Sequence, residues 1–187
     1  VGGEVAAGVA VDSEAGKVYW TTQCCSVRRA NLDGSEMEHL TNTTNGGGIA
    51  LDTEAGKMYW TSWMNGTLWR ADLNGTNAEV FLSHDDIKFP MDLALDTIRG
   101  YIYWTDVFVG KHTVNRASLV NGSGMLVLNV SSAIEQTNGI TIDLARNRLY
   151  IAGSMNESAN GTQPSSSGAI YRASLDSDEN FLIVGGG

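Results

Sequence analysis

The stretch Gly48–Gly75, GIALDTEAGKMYWTSWMNGTLWRADLNG, runs apolar segment, turn, apolar segment, turn, apolar segment, turn. Its segments are three to seven residues long and bounded by Asp, Gly and Asn, and none sustains a helical period. The pattern is that of short antiparallel strands, with the first at Ile49–Leu51, a second at Lys57–Ser62 and a third at Thr67–Leu73. A fourth follows at Ala78–Leu82.

The same unit recurs three more times. Its copies are GVAVDSEAGKVYWTT from Gly8, GIALDTEAGKMYWTS from Gly48, MDLALDTIRGYIYWTD from Met91 and GITIDLARNRLYIAG from Gly139. The repeats therefore run 8–47, 48–90, 91–138 and 139–187. Asp12, Asp52, Asp96 and Asp143 mark one column, and Trp20, Trp60, Trp104 and Ile151 mark a second. Arg29-Ala30, Arg70-Ala71, Arg116-Ala117 and Arg172-Ala173 mark a third.

The turns carry their own signals. Gly16, Gly56 and Gly100 sit four residues after the marker Asp, where a tight hairpin calls for positive φ, and the fourth copy has Asn147 there. Asp33-Gly34, Asn74-Gly75 and Asn121-Gly122 predict two-residue hairpins between the third and fourth strands, with Asp176-Ser177 a weaker version. Met58-Tyr59-Trp60 places large side chains on both faces of its strand, so the sheet is covered on both sides. Four-stranded sheets stacked face to face around an axis make a β-propeller. The small Ala10, Ala50, Ala94 and Thr141 at the middle of each first strand suit crowding near that axis.

Tyr19-Trp20-Thr21-Thr22, Tyr59-Trp60-Thr61-Ser62 and Tyr103-Trp104-Thr105-Asp106 resemble the YWTD repeat, also called the LDL-receptor class B repeat. The flanking G-[IV]-A-[VL]-D and R-A-x-L-[DN]-G elements match the same pattern over essentially the whole chain. The resemblance implies a six-bladed ring of about 260 residues, of which this chain supplies four repeats, so part of a six-bladed ring is expected rather than a rare closed four-bladed one. It also implies that the motif's last Asp is structural and ties neighbouring blades. Only Asp106 keeps it, with Thr22, Ser62 and Gly153 in the other copies, so looser cohesion is expected there. An open arc would leave its outer blade faces bare.

Composition narrows the function. Twenty-one acidic against 12 basic residues, a net charge of -9, argue against general affinity for nucleic acid or anionic lipid. No window approaches the ~20 apolar residues of a membrane helix. Residue 1 is Val, without an initiator Met or a signal peptide, and suggests a piece of something longer. The adjacent Cys24 and Cys25 offer neither a disulfide framework nor a spaced metal pair, and free thiols are expected over a vicinal bridge. Seven Asn-X-Ser/Thr sequons, at Asn42, Asn65, Asn74, Asn121, Asn129, Asn156 and Asn160, exceed the about two expected by chance and point to an extracellular or secretory compartment.

The marker aspartates could suggest a carboxylate ring, but each closes a strand and opens a turn, where Asp bonds main-chain amides two residues on. A structural role is expected for them, as for Trp20, Trp60, Trp104 and Asp106. Binding is expected on the variable loops after the second strand (Trp63-Met64, Phe108-Val109, Ser154–Ser167) and before the first (Asn42–Gly47, Ser83–Pro90, Ser131–Asn138). Trp63, Met64, Phe108 and His84 are the candidate contacts for a protein ligand, with apolar anchors beside the charged His84-Asp85-Asp86. His39, His84 and His112 read as exposed bystanders. Phosphate loops, zinc spacings and a G-x-S-x-G element are absent, and no cofactor or metal is expected. The leading reading is a non-enzymatic protein-binding module. The rivals are a calcium-dependent hydrolase or lactonase, for which Asp92 and Asn138 are the candidate ligands, and a structural spacer.

Overall fold

The protein was analysed as a computed structural model that describes residues 4–108, 111–128, 134–156, 166–175 and 182–185. Sixteen strands form four antiparallel sheets, each a meander in chain order. The first blade holds β1 (Ala6–Asp12), β2 (Lys17–Thr22), β3 (Ser26–Asn31) and β4 (Glu38–Asn42). The second holds β5 (Gly46–Asp52), β6 (Lys57–Ser62), β7 (Thr67–Asp72) and β8 (Glu79–Ser83). The third comprises β9 (Pro90–Asp96), β10 (Tyr101–Phe108), β11 (Lys111–Ser118) and β12 (Leu126–Leu128). The fourth comprises β13 (Ile134–Asp143), β14 (Arg148–Asn156), β15 (Ser166–Ser174) and β16 (Leu182–Gly185). The sequence pattern therefore locates the strands of the second blade to within a few residues, and the architecture is that of a β-propeller.

First strands of consecutive blades pack side by side, β1 on β5, β5 on β9 and β9 on β13. Between them lie three separate cores, each made from one blade's forward face and the next blade's rear face. Tyr19 and Val27 meet Ile49, Met58 and Trp60. Tyr59 and Leu68 meet Leu93, Ile102 and Trp104. Tyr103 and Val114 meet Ile140, Leu149 and Ile151. The Tyr and Trp of each motif thus point to opposite faces, one forward and one back, because successive strand residues alternate.

Polar ties run beside each core. Thr61 donates its hydroxyl to the Met91 carbonyl at 2.9 Å, Thr105 to the Asn138 carbonyl at 3.1 Å, and Thr21 to the Gly47 carbonyl. At the opposite end of the blades, Arg29 donates to the Leu73 carbonyl at 3.2 Å and Arg70 to the Val120 carbonyl at 3.5 Å. The motif Thr and the Arg-Ala column are therefore what reaches across blades. The fourth motif residue, expected to tie neighbouring blades, acts on the linker that joins them: Ser62 donates to the Thr44 carbonyl at 2.5 Å, and Asp106 accepts from the Lys88 and Phe89 amides at 3.0 and 3.1 Å. Copies one and two keep their blade-to-blade tie despite Thr22 and Ser62, and the fourth copy has Ala152 where the tying Thr would stand.

The turns differ from expectation in two details. Asp12, Asp52, Asp96 and Asp143 accept from the amide three residues on, at 2.9 to 3.0 Å, because the left-handed Gly16, Gly56, Gly100 and Asn147 lengthen the hairpin by one residue. The Asp-Gly and Asn-Gly pairs close local turns within longer connections, not two-residue hairpins. Asp33, Asn74 and Asn121 each accept the amide two residues on, and a second left-handed residue follows at Glu36, Asn77 and Gly124. Asp176-Ser177 lies outside the described residues. Cys24 and Cys25 are joined in a vicinal disulfide, not free: the turn between β2 and β3 brings the two sulfurs together at its tip.

The arc does not close on itself. Among the described residues β13 makes no contact with β1 comparable to those between consecutive blades. Val9 is 67% exposed, whereas its counterparts Ile49, Leu93 and Ile140 are 5%, 3% and 7% exposed. At the other end Ile170 is 43% exposed, whereas Val27, Leu68 and Val114 are fully buried. Trp20 is likewise half-buried where Trp60 and Trp104 are completely enclosed.

Trp60→Ala should therefore cost about 3–5 kcal/mol in urea unfolding, and Trp20→Ala less than half of that, since no blade covers it. Equal losses would contradict this account of the interblade cores. Thr61→Val should cost about 1–3 kcal/mol by leaving the Met91 carbonyl without its donor. The same substitution at Thr22, whose hydroxyl serves only its own turn, should leave blade-to-blade hydrogen-exchange protection intact.

Candidate functional site on the loop face

The turns between second and third strands, and the lead-ins to the first strands, share one face. The residue after each four-residue motif starts its turn identically, its amide donating to a carbonyl of the lead-in. Gln23 donates to Val5 at 2.9 Å, Trp63 to Asn45 at 3.0 Å and Val107 to Phe89 at 3.1 Å. These bonds fix the backbone and leave the side chains free to differ. Gln23, Trp63 and Val107 converge, one from each of three blades, on a groove of about 330 Å³ that Phe89 and Met91 complete.

Gly46 and Gly47 line the groove where the packing of the blades leaves no room for a side chain. A Cβ at Gly46 would lie 2.8 Å from the Thr22 carbonyl oxygen, and one at Gly47 would lie 2.5 Å from that of Met91. Phe89 is positioned from behind by Asp106, whose buried carboxylate grips the Phe89 and Lys88 amides. Burial pushes the Asp106 carboxyl above its ordinary value, and the two amides and Lys88 act against that rise. The motif's one surviving Asp thus shapes the groove wall.

Of the four expected contacts, the structure brings Trp63 into the groove. Met64 stands at the tip of the same turn, 59% exposed, and does not line it. His84 belongs to the linker before β9, where its carbonyl accepts from the Ile87 amide at 3.0 Å and its ring Nδ1 accepts from the Asp86 amide at 3.2 Å. It is exposed and away from the groove lining. Phe108 ends β10 opposite Lys111, and its side chain lies outside the described residues, as does Val109. His39 is exposed, with its ring nitrogen 3.1 Å from the Asn42 amide oxygen, whereas His112 is half-buried on β11. Gln23, Phe89, Met91 and Val107 are the residues that sequence reading missed. The signal lay in the alignment of copies: Gln23, Trp63 and Val107 occupy one column directly after the motif.

The mouth of the central channel adjoins this groove, sharing Gln23, Gly47 and Met91 with it. Asp92 and Asn138, the candidate calcium ligands, both line the mouth. The Asp92 carboxylate accepts from the Leu93 amide at 2.9 Å and, across the blades, from the Ile140 amide at 3.0 Å. Among the described residues the single cluster of three metal-competent side chains is Glu4, Cys24 and Cys25, whose sulfurs are already bonded to each other. Asn42, Asn65, Asn74 and Asn121 are exposed, and the other sequons, Asn129, Asn156 and Asn160, carry side chains outside the described residues.

Comparison with known proteins places this geometry. The family model of the low-density lipoprotein receptor repeat class B matches residues 56–97. A human protein, low-density lipoprotein receptor-related protein 5-like protein, is 32% identical over 146 residues, which is 72% of this chain and 53% of the relative. The chain thus spans about half the length of that relative. Among solved structures, the nidogen/laminin complex matches with a TM-score of 0.74 at 20% identity, over 98% of this chain and 80% of the other. A gluconolactonase from Xanthomonas campestris matches with a TM-score of 0.67 at 19% identity, over 90% of this chain and 58% of the other. At these identities the two structures share the fold. With four copies of the motif, the interblade Thr and Arg ties and the family model agreeing, the chain belongs to the low-density lipoprotein receptor class B, or YWTD, repeat family of β-propellers.

Proposed function

We propose that this chain is a non-catalytic protein-binding module of a secreted or receptor-ectodomain protein, with its ligand docked on the loop face. One observation carries the reading: three blades send the same column, Gln23, Trp63 and Val107, into one apolar groove. Trp63, half-buried, is the kind of anchor that dominates binding energy, and the exposed His84, Asp85 and Asp86 of the linker before β9 supply charge outside the groove lining. The nidogen propeller of like fold was solved together with laminin, which supports a protein as the class of ligand.

A second reading, hydrolysis assisted by calcium, is favoured by the pairing of Asp92 with Asn138 at the channel mouth and by the gluconolactonase of like fold. Calcium takes about six to eight oxygen ligands. The described mouth offers one carboxylate, already holding two amides, and two carboxamides, Gln23 and Asn138. That donor set serves calcium poorly.

Peptides selected from a random twelve-residue library against the folded chain should lose at least about tenfold in affinity for Trp63→Ala, with its melting temperature unchanged, and little for Met64→Ala or His84→Ala. Selected peptides that bind Trp63→Ala as tightly as the parent would dispose of the groove as the site. The extracellular reading has its own test. Secretion from a eukaryotic host should yield protein whose mass falls on peptide-N-glycosidase treatment, through glycans on the exposed Asn42, Asn65, Asn74 and Asn121. A mass unchanged by the enzyme would count against it.

A further inference from the structure

We infer that the channel mouth beside the groove is a subsite for a cationic side chain of the protein ligand, with Asp92 as its counter-ion. The inference rests on the proposed docking of that ligand on the loop face.

The argument starts from a column of the repeat. Gly8, Gly48 and Gly139 stand at one position of their blades, and the third blade has Asp92. Glycine there answers to crowding where first strands converge. A Cβ at Gly8 would lie 2.5 Å from the Gly47 carbonyl oxygen, and one at Gly48 would lie 2.7 Å from the Asp92 Cα. Beside Asp92, Gly139 leaves room, for a Cβ there would still be 3.7 Å from the carboxylate. One blade thus carries a charge at a position the repeat otherwise keeps bare.

That charge faces two cavities. One, of about 490 Å³, opens at the mouth, and the other, of about 440 Å³, runs along the first strands. Asp92 is the sole ionisable side chain lining either among the described residues, amid Val9, Ile49, Leu93 and Ile140. Its two amide bonds occupy about half of the roughly four acceptor sites of a carboxylate. No cation among the described residues pairs with it, and burial raises its pKa while those two amides act against the rise. A ligand ammonium or guanidinium would supply the missing charge and charge-assisted hydrogen bonds. The adjoining groove would take an apolar neighbour in the same ligand. The occupant is a basic residue close to an apolar one, a segment suited to an acidic chain of net charge -9.

n-Hexylammonium and 1-hexanol, matched in their apolar tail, separate the two subsites when titrated into the folded chain by ¹H–¹⁵N NMR. The ammonium should bind about tenfold more tightly than the alcohol and move the Leu93 and Ile140 amides, which the alcohol should leave in place. Asp92→Asn should erase that tenfold preference and spare the alcohol, whereas Trp63→Ala should weaken both alike. Equal binding of the two probes by the parent protein, or ammonium shifts scattered over the surface acidic residues, would overturn the cation subsite and leave the groove standing. Loss of the preference in Asp92→Asn with no effect of Trp63→Ala would retain the cation subsite and remove the groove. Failure of both probes to bind would overturn both subsites, and calcium displacing the ammonium from the same amides would make the mouth a metal site instead. Should Asp92→Asn fail to fold, the parent's two titrations decide the matter alone.

Discussion

A propeller has to join sheets that share no main-chain ladder, and here the join is a threonine hydroxyl. Thr21, Thr61 and Thr105 each stand at the third motif position and each reach a carbonyl in the first strand of the following blade. The Thr21 and Thr105 hydroxyls also accept the Gly8 and Asp92 amides of their own blades, at 3.0 and 3.2 Å, so these two each pin two first strands at once. This fixes how far apart the strands stand at the axis. The apolar cores can then form between faces held in register, and glycines are required at Gly47 and Gly48, where a side chain would strike the next blade.

The loop-face groove follows from that constraint. With spacing and backbone set by the repeat, the first residue beyond the motif in each of the first three blades reaches the same groove. Variation there alters chemistry without altering scaffold, and the difference between Gln23, Trp63 and Val107 becomes a difference in what three blades present to one ligand. Asp106 belongs to both levels. It is a motif residue by position, yet its two amide bonds orient Phe89, a wall of the groove. Scaffold and site are therefore coupled in the third blade more closely than in the second, where Ser62 makes a single bond to the linker.

Strand positions, blade count and propeller architecture were legible because the repeat prints each of them four times. Left-handed residues at Gly16, Gly56, Gly100 and Asn147 could be named in advance, since few residues tolerate that conformation. The site was legible only at Trp63. Phe89 falls in the Ser83–Pro90 loop expected to bind and Met91 opens the third repeat, but only the three-dimensional convergence of separate blades makes them neighbours of Trp63. The main-chain partners of the motif Asp were not legible for a similar reason: sequence shows which residues recur, not which backbone groups lie beside them. The vicinal disulfide depends on the local path of one turn, which no periodicity reports.

The fourth blade departs from the rest in a connected way. Ala152 removes the hydroxyl that would tie a following blade, Gly153 removes the side chain that would hold the linker, and Ile170 and Thr141 leave the forward face exposed. Apolar area for a further blade is present, but the polar register pin is not. The first blade shows the converse, for Val9 and Trp20 are apolar and uncovered, while Arg28 stands where the later blades have Trp69, Asn115 and Tyr171, paired to Glu4 at 2.9 Å. Seating blade four directly on blade one would bring a face without its hydroxyl against a face that carries an ion pair. Although the Ser26 hydroxyl bonds Glu4 at 3.0 Å, burying that pair under another blade carries a desolvation cost that its attraction must repay. The two ends are thus poorly matched to each other, and the open arc is the arrangement these residues favour.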